Sequence, residues 1–150
     1  MKVKDLMAKD VKTCREGNDL ATVAQMMWEG DCGIVPVVDD QSRVIGVITD
    51  RDICIAAATR SLDPASIPAR EAMSRDIATC SEDADLRSAL STLKDRRIRR
   101  LPVVNRHNQL VGVLSLNDLV SQTECRQGAS IPGEEFLSTL RVICAHPTHA

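Results

Sequence analysis

The chain has 150 residues, 43% of them hydrophobic and 27% charged, with 19 Lys and Arg against 21 Asp and Glu for a formal charge of −2. That balance excludes a disordered chain and a strongly basic nucleic-acid coat. One Trp (Trp28), one Phe (Phe136) and no Tyr mean an aliphatic core and exclude a reader that stacks bases on rings. In chain order, Met1-Lys2-Val3-Lys4-Asp5 lacks the apolar stretch of a signal peptide. Val11-Lys12-Thr13 predicts a brief strand. Asp19 is a good N-cap, and Leu20, Val23, Ala24 and Met27 follow at helical spacing. Gly30 suits the left-handed residue that ends such a helix. Ile34 to Val38 and Val44 to Ile48 read as two strands around an Asp39-Asp40-Gln41-Ser42 turn. Thr49 then caps a helix from about Asp50 to Ala58. The longest apolar run, Ile53 to Ala58, has six residues, far short of the roughly 20 that span a bilayer.

The same order then recurs. Setting Met7 against Met73 aligns the two halves without a gap: Thr13-Cys14 falls on Thr79-Cys80, and Asp19-Leu20 on Asp85-Leu86. Pro36-Val37-Val38 meets Pro102-Val103-Val104, Gly46-Val47 meets Gly112-Val113, and Asp52 meets Asp118. Ile77-Ala78-Thr79 repeats the brief strand, and Leu86, Ala89, Leu90 and Leu93 repeat the apolar stripe. The fold class is therefore α/β (α+β), a tandem β-α-β-β-α repeat. The boundaries read as 1–61, 62–124 and a tail, 125–150, without counterpart. Pro36 and Pro102 imply a sheet edge or an interrupted ladder. One such repeat is marginal alone, so the two are expected to pack with pseudo-two-fold symmetry around one shared core. In the tail, Pro132 to about Cys144 reads as a helix with Phe136, Leu137, Leu140 and Ile143 on one side.

Two segments point to binding. Gly46-Val47-Ile48-Thr49-Asp50-Arg51-Asp52 and Gly112-Val113-Leu114-Ser115-Leu116-Asn117-Asp118 share the pattern G-h-h-[ST]-x-x-D at a strand-to-helix junction. A helix cap alone accounts for the hydroxyl and the carboxylate. A carboxylate at a cleft mouth also accepts hydrogen bonds from both ribose hydroxyls, and free helix-terminal amides suit an anion. Arg96-Arg97-Ile98-Arg99-Arg100 precedes Leu101-Pro102, where the first repeat has Gly33 and Ile34. Arg99 and Arg100 alternate in direction, and the two halves differ in charge at this point.

These residues together resemble the cystathionine-β-synthase-type (CBS) domain pair, the Bateman module. The resemblance rests on the segments around Thr13 and Thr79, the Pro-Val-Val strands and both G-h-h-[ST]-x-x-D segments, and covers about 120 of the 150 residues. It implies adenosine-containing ligands (AMP, ADP, ATP, NAD or S-adenosylmethionine) in clefts that mix both repeats. One cleft would use Thr49 and Asp52 with Ile77, Thr79, Arg99, Arg100 and Pro102, and Arg51 as a further phosphate contact. The other would use Ser115 and Asp118 with Val11, Thr13, Gly33, Ile34 and Pro36. Adenine would lie between aliphatic walls such as Val11, Ile34 and Ile77, with micromolar or weaker affinity. No cofactor is required; the adenine nucleotide is a regulatory ligand. The resemblance implies a homodimer of pairs that acts on an effector protein in trans.

Other signals are weaker. Six cysteines without a C-x-x-C pair read as reduced, mostly buried thiols of a cytoplasmic protein. Cys14 and Cys80 read as small buried residues, with redox sensitivity the alternative. His146-x-x-His149 near Cys144 is the sole metal-like spacing, His107 sits in a turn, and no nucleophile–base set is readable. The expected protein is thus a nucleotide sensor, not an enzyme, with no nucleic-acid or membrane partner. Its rival is a CBS-fold interaction module that binds no nucleotide.

Overall fold

A computed structural model of the chain describes residues 1–121, 123 and 131–145. In the first repeat the Asp19 carboxylate accepts the Thr22 amide at 2.9 Å and starts helix α1, Leu20–Gly30. Strands β1 (Ile34–Val38) and β2 (Val44–Thr49) form an antiparallel hairpin, and helix α2 (Asp50–Arg60) follows directly. The second repeat has strand β3 (Cys80–Ser81), helix α3 (Leu86–Arg96), strands β4 (Arg100–Val104) and β5 (Leu110–Ser115), and helix α4 (Leu116–Val120). Asp85 caps α3 through the Ser88 amide at 2.9 Å. Helix α5 (Gly133–Cys144) lies in the tail. The mixed α+β class and the repeated element order are as read from the sequence, and among the described residues no helix is long and apolar enough to cross a membrane.

Three local details differ from the sequence reading. The left-handed residue that ends α1 is Asp31 (φ 46°), matched at the equivalent position of the second repeat by Arg97 (φ 52°). Gly30 stays helical, and a Cβ there would sit 3.3 Å from Lys12 Cγ and 3.4 Å from Cys32 Sγ. Its small size serves close approach, not turn geometry. Second, the brief strands do not start at Val11 and Ile77. Pairing begins at Cys14, whose amide donates to the Pro36 carbonyl and whose carbonyl accepts from Val38, and at Cys80, opposite Val103. The next parallel bond towards the N-terminus would need an amide from Pro36 or Pro102, and proline has none. The ladder therefore stops there in both repeats. Third, Leu137 points outward at 55% exposure while Thr139 is buried. The stripe of α5 is Phe136, Thr139, Leu140 and Ile143, the i, i+3, i+4, i+7 set.

The buried side chains form two clusters, not the one shared core expected from the sequence. One holds Leu86, Leu90, Leu93, Leu101, Leu114, Leu119 and Phe136, together with Val3 and Met7. The other holds Leu20, Val23, Val35, Val37 and Ile48, together with Ile67 and Ala69. Each core is thus finished by a segment from outside its own run of elements. Ala8 and Val113 exchange two backbone hydrogen bonds at 2.9 Å, and Val47 and Ser74 do the same at 3.0 and 2.9 Å. The glycine before each of these strand residues makes room. A Cβ on Gly112 would fall 2.7 Å from both the Ala8 carbonyl oxygen and Met7 Sδ; one on Gly46 would fall 2.9 Å from Met73 Sδ and 3.0 Å from the Ser74 carbonyl oxygen. These contacts give Met7 and Met73, aligned by the repeat, one structural role. The chain accordingly divides into a unit of residues 1–9, 78–106 and 111–150, and a unit of residues 10–77 and 107–110. Packing and repetition partition the chain differently.

Candidate functional site

Each G-h-h-[ST]-x-x-D segment folds as a reciprocal cap. Thr49 Oγ1 accepts the Asp52 amide at 3.2 Å, and Asp52 Oδ2 accepts the Thr49 amide at 2.9 Å. Asp118 Oδ2 accepts the Ser115 amide and the Ser115 hydroxyl, both at 2.7 Å, while the Asp118 amide donates to Ser115 Oγ at 3.2 Å. The capping function is therefore realised in both copies. It occupies one oxygen of each carboxylate. Among the described residues no donor reaches Oδ1 of Asp52 or of Asp118, and both side chains are half-buried.

Strand direction gathers the remaining residues. In one unit β1 begins where β2 ends: Ile34 stands opposite Thr49, and the Asp50 amide donates to the Gly33 carbonyl at 3.3 Å. The short strand at Cys14 runs parallel to β1, so Val11 and Thr13 precede it at that same sheet end. Val11, Thr13, Gly33, Ile34, Thr49, Arg51 and Asp52 thus share one end of one sheet. In the other unit the Leu116 amide donates to the Arg99 carbonyl at 3.0 Å. This ties the start of β4 to the end of β5, and Thr79 precedes parallel β3. Thr79, Arg99, Arg100, Ser115 and Asp118 share that end. Pro36 and Pro102 are buried within β1 and β4, and Ile77 falls in the first-repeat unit. Inside each unit, then, cap, pre-proline segment and first strand of the same repeat come together. The cross-repeat sets implied by the resemblance draw on both units.

The two sheet ends differ in charge as the sequence indicates. Arg99 and Arg51 are exposed and Arg100 is half-buried. Among the described residues no carboxylate lies within ion-pair distance of any of the three. Other surface arginines are paired, such as Arg15 with Asp40 at 2.6 Å and Arg75 with Glu16 at 2.9 Å. Cations left without a counter-ion beside a partly engaged carboxylate suit a polar anionic ligand.

Cys14 and Cys80 lie next to the site threonines. Both are buried, and burial pushes both thiols up to about 11 from an ordinary 9.0. A thiolate is disfavoured there. Burial of the cysteines is nevertheless less general than the sequence suggests. Of the five described free thiols, Cys54 and Cys144 are exposed and Cys32 is half-buried. Among the described residues no cluster of His, Cys, Asp or Glu could hold a metal ion. Cys125, His146 and His149 lie outside the described residues.

Comparison with known proteins agrees with this architecture. The family profile of the CBS domain matches residues 3–58 and 69–123. An uncharacterized Methanopyrus kandleri protein is 30% identical over 118 residues, 79% of this chain but only 60% of its own length. Hypoxic response protein 1 of Mycobacterium tuberculosis is 29% identical over 142 residues, 95% of this chain and 93% of that protein. A crystal structure of Hypoxic Response Protein I with two coordinated zinc ions superposes with a TM-score of 0.75 and 31% identity, covering 83% of this chain and all of that one. A CBS domain pair in complex with 5′-methylthioadenosine and S-adenosyl-L-methionine superposes with a TM-score of 0.73 over 81% of this chain and 94% of that chain, at 24% identity. The duplicated sheet ends, the paired caps and the profile match over both halves have one reading: this chain belongs to the CBS domain family, as a tandem pair.

Proposed function

We propose that the protein is a regulatory CBS pair that binds an adenosine-containing ligand, AMP, ADP or ATP, or NAD or S-adenosylmethionine, and does no chemistry on it. The observation that carries this reading is the pair of intact caps, each with one carboxylate oxygen left for a ribose. Arg51, Arg99 and Arg100, without counter-ions among the described residues, supply charge for phosphates. Each ligand takes its ribose cap from one repeat and its adenine and phosphate contacts from the other. Thr49 and Asp52 work with Ile77, Thr79, Arg99 and Arg100; Ser115 and Asp118 work with Val11, Thr13, Gly33 and Ile34. The structural neighbour bound to methylthioadenosine and S-adenosylmethionine supports the ligand class. The first cleft, with the arginines, prefers the more phosphorylated nucleotides. Ligand binding shifts the population of conformers that meet an effector in trans. The unpaired thiols fit a reducing cytoplasm, and the working form is a homodimer.

Isothermal titration of the folded chain with AMP, ATP and NAD tests this directly. Micromolar heat is expected for at least one of them, about −8 kcal/mol. Absence of heat with every adenosine ligand would leave the caps as helix caps only and the protein as an interaction module. Incubation with ATP followed by product analysis should return ATP unchanged.

A further inference from the structure

The two caps hold the same positions of the repeat but spend their hydrogen-bonding groups differently. The second cap is closed on itself. Asp118 Oδ2 accepts both the Ser115 amide and the Ser115 hydroxyl at 2.7 Å, and Ser115 Oγ accepts the Asp118 amide at 3.2 Å. A carboxylate oxygen has two lone pairs, so Oδ2 of Asp118 is filled and the hydroxyl proton of Ser115 is spent. The first cap is open. Asp52 Oδ2 accepts the Thr49 amide alone, at 2.9 Å, and Thr49 Oγ1 accepts the Asp52 amide at 3.2 Å. Among the described residues nothing takes the Thr49 hydroxyl proton, and Asp52 keeps a lone pair on Oδ2 as well as both on Oδ1. The two cap residues differ by one methyl group, which makes χ1 of Thr49 the stiffer.

We infer that ribose specificity resides in the Thr49–Asp52 cap, and that the Ser115–Asp118 cap holds a ribose through one carboxylate oxygen only. A ribose presents two neighbouring hydroxyls, each able to donate one proton and to accept another. The first cap meets both protons with the two oxygens of one carboxylate, and the Thr49 hydroxyl donates back to a sugar oxygen. Bonds to a carboxylate are charge-assisted, so each additional one shows in the affinity. The second cap offers one oxygen for two protons, and no donor. Ser115 must first release Asp118 before that cap can match the other. Thr49 and Asp52 are both half-buried, as are Ser115 and Asp118, so exposure does not rank the caps; the use of their lone pairs does. The inference rests on the proposed binding of adenosine ligands and adds a ranking within it.

Titration calorimetry of the full chain with AMP and ATP, each beside its 2′-deoxy and 3′-deoxy forms, tests the ranking. The tighter phase should weaken about tenfold or more with either deoxy form. A second phase should be weaker or undetectable, and sensitive to one deoxy form at most. Asp52→Asn, whose side-chain oxygen still accepts the Thr49 amide, should remove the tighter phase; Asp118→Asn should leave it. Thr49→Ser should let the hydroxyl close onto Asp52 and so weaken that phase. Ser115→Ala frees a lone pair on Asp118 Oδ2. It should tighten the second phase about tenfold and make it sensitive to both deoxy forms, although the Asp118 amide loses its acceptor and the chain melts lower. Circular dichroism checks that each variant is folded. A tighter phase that survives Asp52→Asn, equal deoxy penalties in two phases, or a folded Ser115→Ala chain whose second phase is no tighter overturns the ranking and leaves the adenosine reading standing. No heat with either nucleotide overturns the ranking and the nucleotide reading together.

Discussion

At the scale of single residues, the site carboxylates carry two duties that can be separated. Asp52→Ala removes one of the two reciprocal cap bonds, the one from the Thr49 amide, and should lower stability by about 0.5–1.5 kcal/mol. It should also weaken nucleotide binding by about 1.5–3 kcal/mol, read by isothermal titration with AMP; unchanged affinity with lowered stability would assign Asp52 to capping alone. A deoxyadenosine ligand should lose affinity for wild type and much less for Asp52→Ala. The buried thiols give a pH prediction. Cys14 and Cys80 stay protonated in the fold to about 11 but ionise near 9.0 when unfolded. Above pH 9 the unfolded chain therefore binds fewer protons, and stability falls as pH rises from 9 to 11, by about 2–3 kcal/mol for each thiol. Melting curves at pH 8 and 10.5 should show this loss, and Cys14→Ala with Cys80→Ala should be much less sensitive to pH in that window.

At the scale of elements, the strand-adjacent glycines should be unequal. Gly112→Ala drives a Cβ to 2.7 Å from a backbone carbonyl, which cannot move aside. Gly46→Ala presses first on Met73 Sδ, the flexible part of its side chain. Overpacking of about 1–3 kcal/mol is expected at Gly112 and less at Gly46. Denaturant titrations should show Met73→Ala rescuing Gly46→Ala better than Met7→Ala rescues Gly112→Ala. These elements also show what a sequence can reveal. Helix N-caps, the stripes of α1 and α3 and the hairpins were legible because each depends on residues within a turn or two: Asp19 on Thr22, Thr49 on Asp52. The start of the short strands was not, because it depends on which amide Pro36 and Pro102 cannot supply to a strand on the far side of an intervening helix. The exchange of Met7 and Met73 onto Gly112 and Gly46 was hidden for the same reason. The repeat aligned all four residues, but alignment does not say which copy touches which. At the site, the cap motifs and the charge difference between Gly33-Ile34 and Arg99-Arg100 were visible as residue types. Which cations lack a counter-ion among the described residues was not legible, because ion pairs such as Arg75 with Glu16 join residues far apart in the chain.

At the scale of the whole molecule, the segment 1–9 is a structural member of a unit otherwise built from 78 onward. Removing it takes away the buried side chains of Val3 and Met7, about 1.5–3 kcal/mol each. Hydrogen exchange of the truncated chain should show lost protection in α3, β4 and β5, with α1, β1 and β2 far less affected; uniform loss would mean that the two cores do not unfold separately. The exchanged arm also sets an order of events during synthesis. Ala8 finds its partner only when Val113 has been made. At about 5–20 residues per second, the arm waits roughly 5–20 s after it emerges, whereas the Ser74 that pairs with Val47 follows within about 1–5 s. Val3 and Met7 thus stay open to chaperones for the whole interval in which residues 10–112 are translated, although they end as members of a buried cluster.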